Sequence, residues 1–340
     1  MNLKTTYLGL DLDSPLIPGA SPLADTLDGA RLLEDAGAPA IVLRSLFEEQ
    51  ITRDESNLYS LLEHEDAYAE ANSYFPQAGE FVFGPDQYLE HVRRLKQALR
   101  IPVIASLNGI SIAGWLHYAQ LLEEAGADAL ELNVYYLASD PDESGFMVEK
   151  RTVELTRLVK KAVSIPVAVK LSPFFSALPN FARQLEEAGA DALVLFNRFY
   201  QPDIDPERLE ATPTLRLSDP SALLLRLRWL AVLFGNAHVP LAASGGVHTG
   251  LHAIKAVMAG ASAVQLVSVL LQRGPGHLKS VREEMSRWMT EHEYESVAQM
   301  RGSMSLARCP DPTAFSRANY MRMLQAWRPH HVGSLVEHRA

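Results

Sequence analysis

Four copies of one short phrase constrain this fold more than any other feature of the sequence. Glu34-Asp35-Ala36-Gly37-Ala38 returns as Glu124-Ala125-Gly126-Ala127-Asp128, as Glu187-Ala188-Gly189-Ala190-Asp191 and, altered at its start, as Met258-Ala259-Gly260-Ala261-Ser262. Each glycine closes a helix-like pattern and precedes an apolar run such as Ile41-Val42-Leu43 or Val264-Gln265-Leu266. Glycine at that place takes the left-handed conformation without steric cost and turns a helix into the following strand. Apolar runs of this kind belong to strands covered on both faces, as in parallel sheets. Recurrence at long spacing means one supersecondary unit, repeated.

A second set of strand starts is marked by proline, which cannot continue a helix: Ile101-Pro102-Val103, Ile165-Pro166-Val167 and Val239-Pro240-Leu241. With Pro15-Leu16-Ile17-Pro18 these make eight strands, centred near Leu16, Val42, Ile104, Leu132, Val169, Val194, Ala242 and Leu266, with helical patterns between most of them. The expectation is an α/β chain forming a (β/α)8 TIM barrel over about residues 15–275. An open doubly wound sheet would carry a glycine-rich turn after its first strand, and Gly19-Ala20-Ser21-Pro22 is not one. Insertions at 133–149, 48–99 and 199–221 follow strands four, two and six, on the face where barrels build active sites. An N-terminal extension precedes the barrel, and helices at about 278–288 and 313–327 follow it. No linker divides the chain, so 1–340 reads as one domain.

Charge and cysteine content narrow the function classes. With 31 Lys and Arg against 41 Asp and Glu, the net charge of −10 repels polyanions and favours a small-molecule partner over nucleic acid. The one cysteine, Cys309, excludes a disulfide framework or an iron–sulfur cluster built by one chain, and fits a reducing cytoplasm. The first residues do not resemble a signal peptide, and the apolar stretch 253–271 is interrupted by Lys255, Gly260, Ser262, Gln265 and Ser268; it reads as a helix then a buried strand, not a membrane span. Asp140, Asp142 and Glu143 read as a solvated loop, so no metal site is expected.

Two features carry chemistry. Ser244-Gly245-Gly246-Val247-His248-Thr249-Gly250 follows strand seven and Gln265-Leu266-Val267-Ser268 ends strand eight, where barrels commonly cradle a phosphate on free backbone N–H groups. Arg44, Asn108, Asn133, Lys170 and Asn197 each close an apolar strand, the height at which a polar side chain faces the barrel mouth. Lys170 there could form a Schiff base or stabilise negative charge on a ligand; residue type alone leaves both open.

The order of Pro15-Leu16-Ile17-Pro18-Gly19-Ala20, Arg44-Ser45, Asn72-Ser73-Tyr74-Phe75-Pro76, Glu131-Leu132-Asn133, Val169-Lys170-Leu171 and Ser244 to Gly250 resembles the dihydroorotate dehydrogenases, especially the cytosolic class, from about Asn2 to Ser303. The resemblance implies an FMN-dependent oxidoreductase of CH–CH groups in pyrimidine biosynthesis, and by family habit a homodimer. It implies phosphate contacts at Ser244, Gly245, Gly246, Val267 and Ser268, ring contacts at Ala20, Ser45, Asn108 and Asn133, and Lys170 at the flavin N1/O2 edge. Asn72, Asn133 and Asn197 would hold a planar substrate such as orotate, since each amide offers a donor and an acceptor. Electrons would leave to a soluble acceptor or a redox partner protein.

Three positions depart from the family pattern. Tyr136 stands where the family carries a cysteine or serine base, and a phenol with a pKa of about 10 needs help to act at neutral pH. Arg44 replaces a lysine, and Val267 replaces a glycine. Tyr136, Lys170 and Arg44 are the expected catalytic set, with a related cyclic or carboxylated substrate as the variant of dihydroorotate. Two rival readings stand beside this one: a cofactor-free lyase or isomerase acting through Lys170 on a phosphorylated metabolite, and a flavin-binding relative that serves a redox partner without dihydroorotate activity.

Overall fold

A computed structural model describes residues 1–47, 84–109, 112–199, 201–212 and 214–326. A small antiparallel hairpin, β1 (Thr5–Tyr7) and β2 (Leu10–Leu12), leads into β3 (Leu16–Pro18), α1 (Leu27–Asp35) and β4 (Ile41–Phe47). Helix α2 (Pro85–Ala98) ends the long insertion and feeds β5 (Val103–Asn108), α3 (Ile112–Glu124) and β6 (Ala129–Asn133). The alternation continues through α4 (Gly145–Ala162), β7 (Val167–Leu171), α5 (Leu178–Glu187) and β8 (Ala192–Leu195). A second hairpin, β9 (Asp203–Asp205) with β10 (Glu210–Thr212), decorates the loop before α6 (Leu223–Leu233). Then come β11 (Leu241–Ser244), α7 (Gly250–Ala259), β12 (Ala263–Leu266), α8 (Ser268–Arg273), α9 (His277–Glu291), α10 (Val297–Met300) and α11 (Arg317–Ala326).

Eight of these strands pair in parallel in the order β3-β12-β11-β8-β7-β6-β5-β4, and β3 lies against β4 at the seam, so the sheet is a nearly closed (β/α)8 barrel. All eight expected strand centres fall within observed strands. The stretch 253–271 divides as expected into the end of α7 and then the buried β12, with the short helix α8 beginning at Ser268 in addition, and no helix among the described residues is long and apolar enough to cross a membrane. The helix expected at 313–327 begins only at Arg317, because Asp311 caps a short 3₁₀ turn over Pro312–Phe315 first.

The repeated phrase turns out to be wiring as well as capping. Gly37, Gly126, Gly189 and Gly260 all have positive φ, between +90° and +133°. The aspartate that follows two of them clasps the next layer: Asp128 accepts from the Val103 N–H (2.7 Å) and from Lys96 Nζ (2.6 Å), and Asp191 repeats the pattern with Val167 (2.7 Å) and Lys160 (2.6 Å). The glutamate three residues before each of the first three glycines does a second job. Glu34 accepts from the N–H of Arg100 (2.7 Å), Glu123 from that of Ser164 (2.9 Å) and Glu186 from that of His238 (3.2 Å), each in the turn leading to a proline-marked strand. Carboxylates therefore satisfy the backbone donors at strand entry that the prolines and turns leave unpaired.

The barrel interior is filled from below. Tyr7, Leu8 and Leu12 of the first hairpin pack with Ile17, Val42, Ile104, Val194 and six alanines, Ala40, Ala129, Ala168, Ala192, Ala242 and Ala263. Small residues on the strands leave room for the hairpin as a floor. The chain start is tied down by Asn2, whose N–H donates to Glu295 and whose carbonyl accepts from Val297, both at 3.0 Å.

The Glu123 clasp has a pH signature. Its carboxyl lies below its usual value of 4.5, chiefly because the Ser164 hydroxyl donates to it, aided by the Ser164 and Ile165 N–H groups. A depressed acid stabilises the fold at pH values above its unfolded-state pKa and loses that contribution as pH falls through the folded-state one. The urea midpoint of Glu123→Gln is expected to lie below wild type at neutral pH, with the gap closing once the pH drops below about 4.5. A gap independent of pH would contradict the assignment.

Candidate active site at the barrel mouth

Above the alanine layer the inward positions turn polar, because residues two apart on a strand share a face. Glu131 on β6, Lys170 on β7 and Gln265 on β12 meet across the barrel. Lys170 Nζ donates to Glu131 Oε1 (3.0 Å) and to Gln265 Oε1 (3.2 Å), and Gln265 Nε2 donates to Glu131 Oε2 (2.5 Å). All three side chains are buried. An ammonium has three donors, so one remains for a ligand.

One step higher stands a chain of amides. Asn197 Nδ2 donates to Asn133 Oδ1 (2.6 Å), Asn133 Nδ2 donates to Ser45 Oγ (3.2 Å), and Ser45 shares a hydrogen bond with Ser106 (2.8 Å). Asn108 is only 6% exposed, yet its amide makes no hydrogen bond among the described residues. An amide without a protein partner among the described residues, at this height on β5, has its donors and acceptor open to whatever enters the mouth. Ala20 packs against the interior cluster at the same end.

Arg44 and Ser45 are separated by a β-bulge. The β4–β5 register shifts between Val42 and Ser45, and the buried Tyr88 hydroxyl holds the bulge by donating to the Arg44 carbonyl (2.7 Å). The shift keeps Ser45 facing Ser106 and sends the Arg44 side chain to Asp25 (3.1 Å), whose carboxyl is raised mainly by burial, against the opposing pull of Arg44. Asn72 lies outside the described residues.

The glycine turn forms the other end of the site. Gly245 and Gly246 have φ of +97° and +80°, and a Cβ on Gly246 would stand 2.4 Å from the Leu223 backbone nitrogen. The Gly246 N–H donates to Ser218 Oγ (3.1 Å), which shares a hydrogen bond with Ser268 Oγ (2.8 Å). His248 Nε2 donates to the Ser218 carbonyl (2.7 Å), fixing that tautomer. Val267 packs its Cγ2 where a side chain on residue 19 would stand, 2.8 Å from a Cβ on Gly19. The Ser244 carbonyl is taken by Arg226 Nε (2.8 Å).

Among the described residues Tyr136 makes its hydrogen bond to Glu143 and not to this line of polar groups. Its hydroxyl donates to Glu143 Oε2 (2.8 Å), Glu143 is also paired with Arg151, and the Arg151 guanidinium lies 4.6 Å over the phenol ring. Its neighbour Tyr135 turns the other way and packs on Phe199 (5.3 Å), which in turn meets Phe174 (4.3 Å). Sequence reasoning missed Ser106, Ser218, Arg226 and the partners of Lys170 and Tyr136. A signal existed for Glu131 alone, a carboxylate inside an otherwise apolar strand.

The fold and these groups define a barrel protein with a buried lysine and an amide chain at its mouth, and a tight glycine turn held by Ser218 after β11. The dihydroorotate dehydrogenase family model matches residues 72–289. The chain belongs to that family, oxidoreductases acting on CH–CH bonds. It is 28% identical over 314 residues to the catalytic subunit of dihydroorotate dehydrogenase B (NAD(+)) from Thermoplasma acidophilum, covering 88% of this chain and 98% of that protein. The protein of the same description from Geobacter sp. is 30% identical over 236 residues, covering 66% of this chain and 74% of its own, and that from Methanocaldococcus jannaschii is 27% identical over 302 residues, covering 85% and 94%.

Gly246 tests the rigidity of the turn. Gly246→Ala combines a positive φ with a backbone collision, so it is expected to cost about 2 kcal/mol or more, read as a lower urea midpoint. A variant as stable as wild type would mean that the turn yields.

Proposed function

We propose that the chain binds FMN with its phosphate at the Gly245–Gly246 turn and its ring against the Lys170 layer, and oxidises dihydroorotate or a closely related cyclic acid. The observation that carries this reading is the meeting of a buried lysine that keeps a free donor, a chain of hydrogen-bonded amides and a tight positive-φ glycine turn at one end of one barrel. When bound, FMN supplies a two-electron acceptor for the substrate's CH–CH bond. Every other part of the reaction falls to side chains.

Lys170, fixed by Glu131 and Gln265, would hold a positive charge against a bound flavin and so would favour its reduced, more negative form. Asn133 and Asn197 are already aligned by their mutual hydrogen bond, so a planar imide or carboxylate meets preorganised donors and acceptors. Asn72 completes the substrate contacts in this reading. Arg44, held by Asp25, stands at the rim as a carboxylate-recognising cation. Tyr136 takes the substrate proton, and Glu143, already accepting from its hydroxyl, receives the phenol proton in the same event, which removes the need for a free phenolate.

Names of the relatives as catalytic subunits support a partner protein as the route by which electrons leave; a soluble acceptor is the simpler alternative. A homodimer and a cytoplasmic location accompany the same reading. The engagement of Tyr136 with Glu143 favours one second reading, a flavin-binding relative with a different substrate.

An anaerobic visible spectrum of the purified protein with dihydroorotate tests the proposal. Bleaching of a bound flavin is the expected outcome, and Tyr136→Phe should bind flavin normally while slowing bleaching by about 10²- to 10⁴-fold. A bound flavin that stays oxidised would overturn dihydroorotate as the substrate, and no flavin band after reconstitution would overturn the cofactor.

A further inference from the structure

Arg226 is a buried cation that the mouth chemistry leaves unused. It sits on α6 among Leu223, Leu225, Leu227 and Leu230, and only 8% of it is exposed. Its guanidinium runs beside the glycine turn: Nε donates to the Ser244 carbonyl and Nη1 to the Ala222 carbonyl, both at 2.8 Å, and a Cβ on Gly245 would stand 3.1 Å from Nη2. Among the described residues it makes no ion pair, and Nη2 has no acceptor. The charge that bears on it is another cation, Arg198.

Two carbonyls would be served equally well by neutral donors, so holding α6 to β11 does not require a charge. A buried guanidinium without an anion is costly, whereas the same group next to a bound anion forms short, charge-assisted hydrogen bonds. On the same turn the Gly246 N–H donates to Ser218 Oγ, which shares a hydrogen bond with Ser268 Oγ, so an anion arriving there would exchange these internal bonds for its own while meeting Nη2 directly. Burial, with Arg198 adding to it, pushes the Arg226 pKa down to about 10, the direction that an arriving anion would reverse.

We infer that Arg226 is the counter-charge of a phosphate monoester seated on the Gly245–Gly246 turn and makes the site select a phosphorylated flavin over an unphosphorylated one. This rests on the flavin reading above. Binding forms no covalent bond; Nη2 exchanges water for phosphate oxygen, and the ring end of the site is untouched.

The test compares FMN with riboflavin on protein stripped of flavin, by quenching of flavin fluorescence, for wild type, Arg226→Gln and Arg226→Lys. Wild type is expected to prefer FMN. Arg226→Gln should lose about 10- to 100-fold in FMN affinity with riboflavin affinity unchanged, and Arg226→Lys, which keeps the charge should the neutral variant not fold, should keep part of the preference. An unchanged preference in both variants, or an equal loss of both ligands, would overturn the role of Arg226 while leaving the flavin site standing. Wild type that binds neither ligand would overturn both.

Discussion

The buried hydrogen-bonded set of Lys170, Glu131 and Gln265 decides what the rest of the barrel can be. A lysine and a glutamate at this depth are stable only if both are paired and their remaining groups satisfied, and removing one partner of such a pair typically costs about 3–5 kcal/mol. Gln265 makes the pair workable, accepting from Lys170 and donating to Glu131 at once. The three side chains belong to β6, β7 and β12, which are not all neighbours in the sheet, so the network spans the lumen. Strand register is fixed with it, since a slip of one residue would turn all three outward.

Below that layer the lumen is filled with apolar side chains, and above it the lining turns polar. Six alanines and the floor hairpin fill the lower lumen beneath the polar groups. The mouth differs because Ser45 on β4, Asn133 on β6 and Asn197 just after β8 hydrogen-bond to one another there. The carboxylate clasps of Asp128, Asp191, Glu34, Glu123 and Glu186 hold the strand entrances at the opposite end. One end of the barrel is thus built for permanence and the other for binding, as the division between the two faces of such barrels predicts.

Most of the fold was legible because its signals are local. Gly126 or Gly189 announces a helix end, Pro102 or Pro166 a strand start, and an apolar run of four or five residues a buried strand. The mouth was legible in part for the same reason: a polar residue closing an apolar run, as at Asn133 or Lys170, betrays its height in the barrel. What could not be read depends on distant pairing. The floor hairpin carries no long apolar run, and its Leu8 sits buried at a φ of +53°, a conformation no sequence rule assigns to leucine. The bulge that separates Ser45 from Arg44 is set by Tyr88, and Arg226 reads as one more polar position on a surface helix until its carbonyl partners are known.

The loop after β6 shows how much of the chemistry lies in such pairing. Residue spacing places Tyr136 at the family's base position, but two adjacent tyrosines leave the choice of which ring faces the mouth to their neighbours. Arg151 and Glu143, on and before α4, capture Tyr136, while Phe199 and Phe174 capture Tyr135. A phenol tied to a carboxylate is a better proton relay than a free one, because accepting a proton need not create a charged oxygen in the same place. The same tie anchors the loop to α4. Glu143 consequently fixes both the Tyr136 hydroxyl and the loop that carries it, and the sequence departure at Tyr136 is structurally intelligible only together with Glu143 and Arg151.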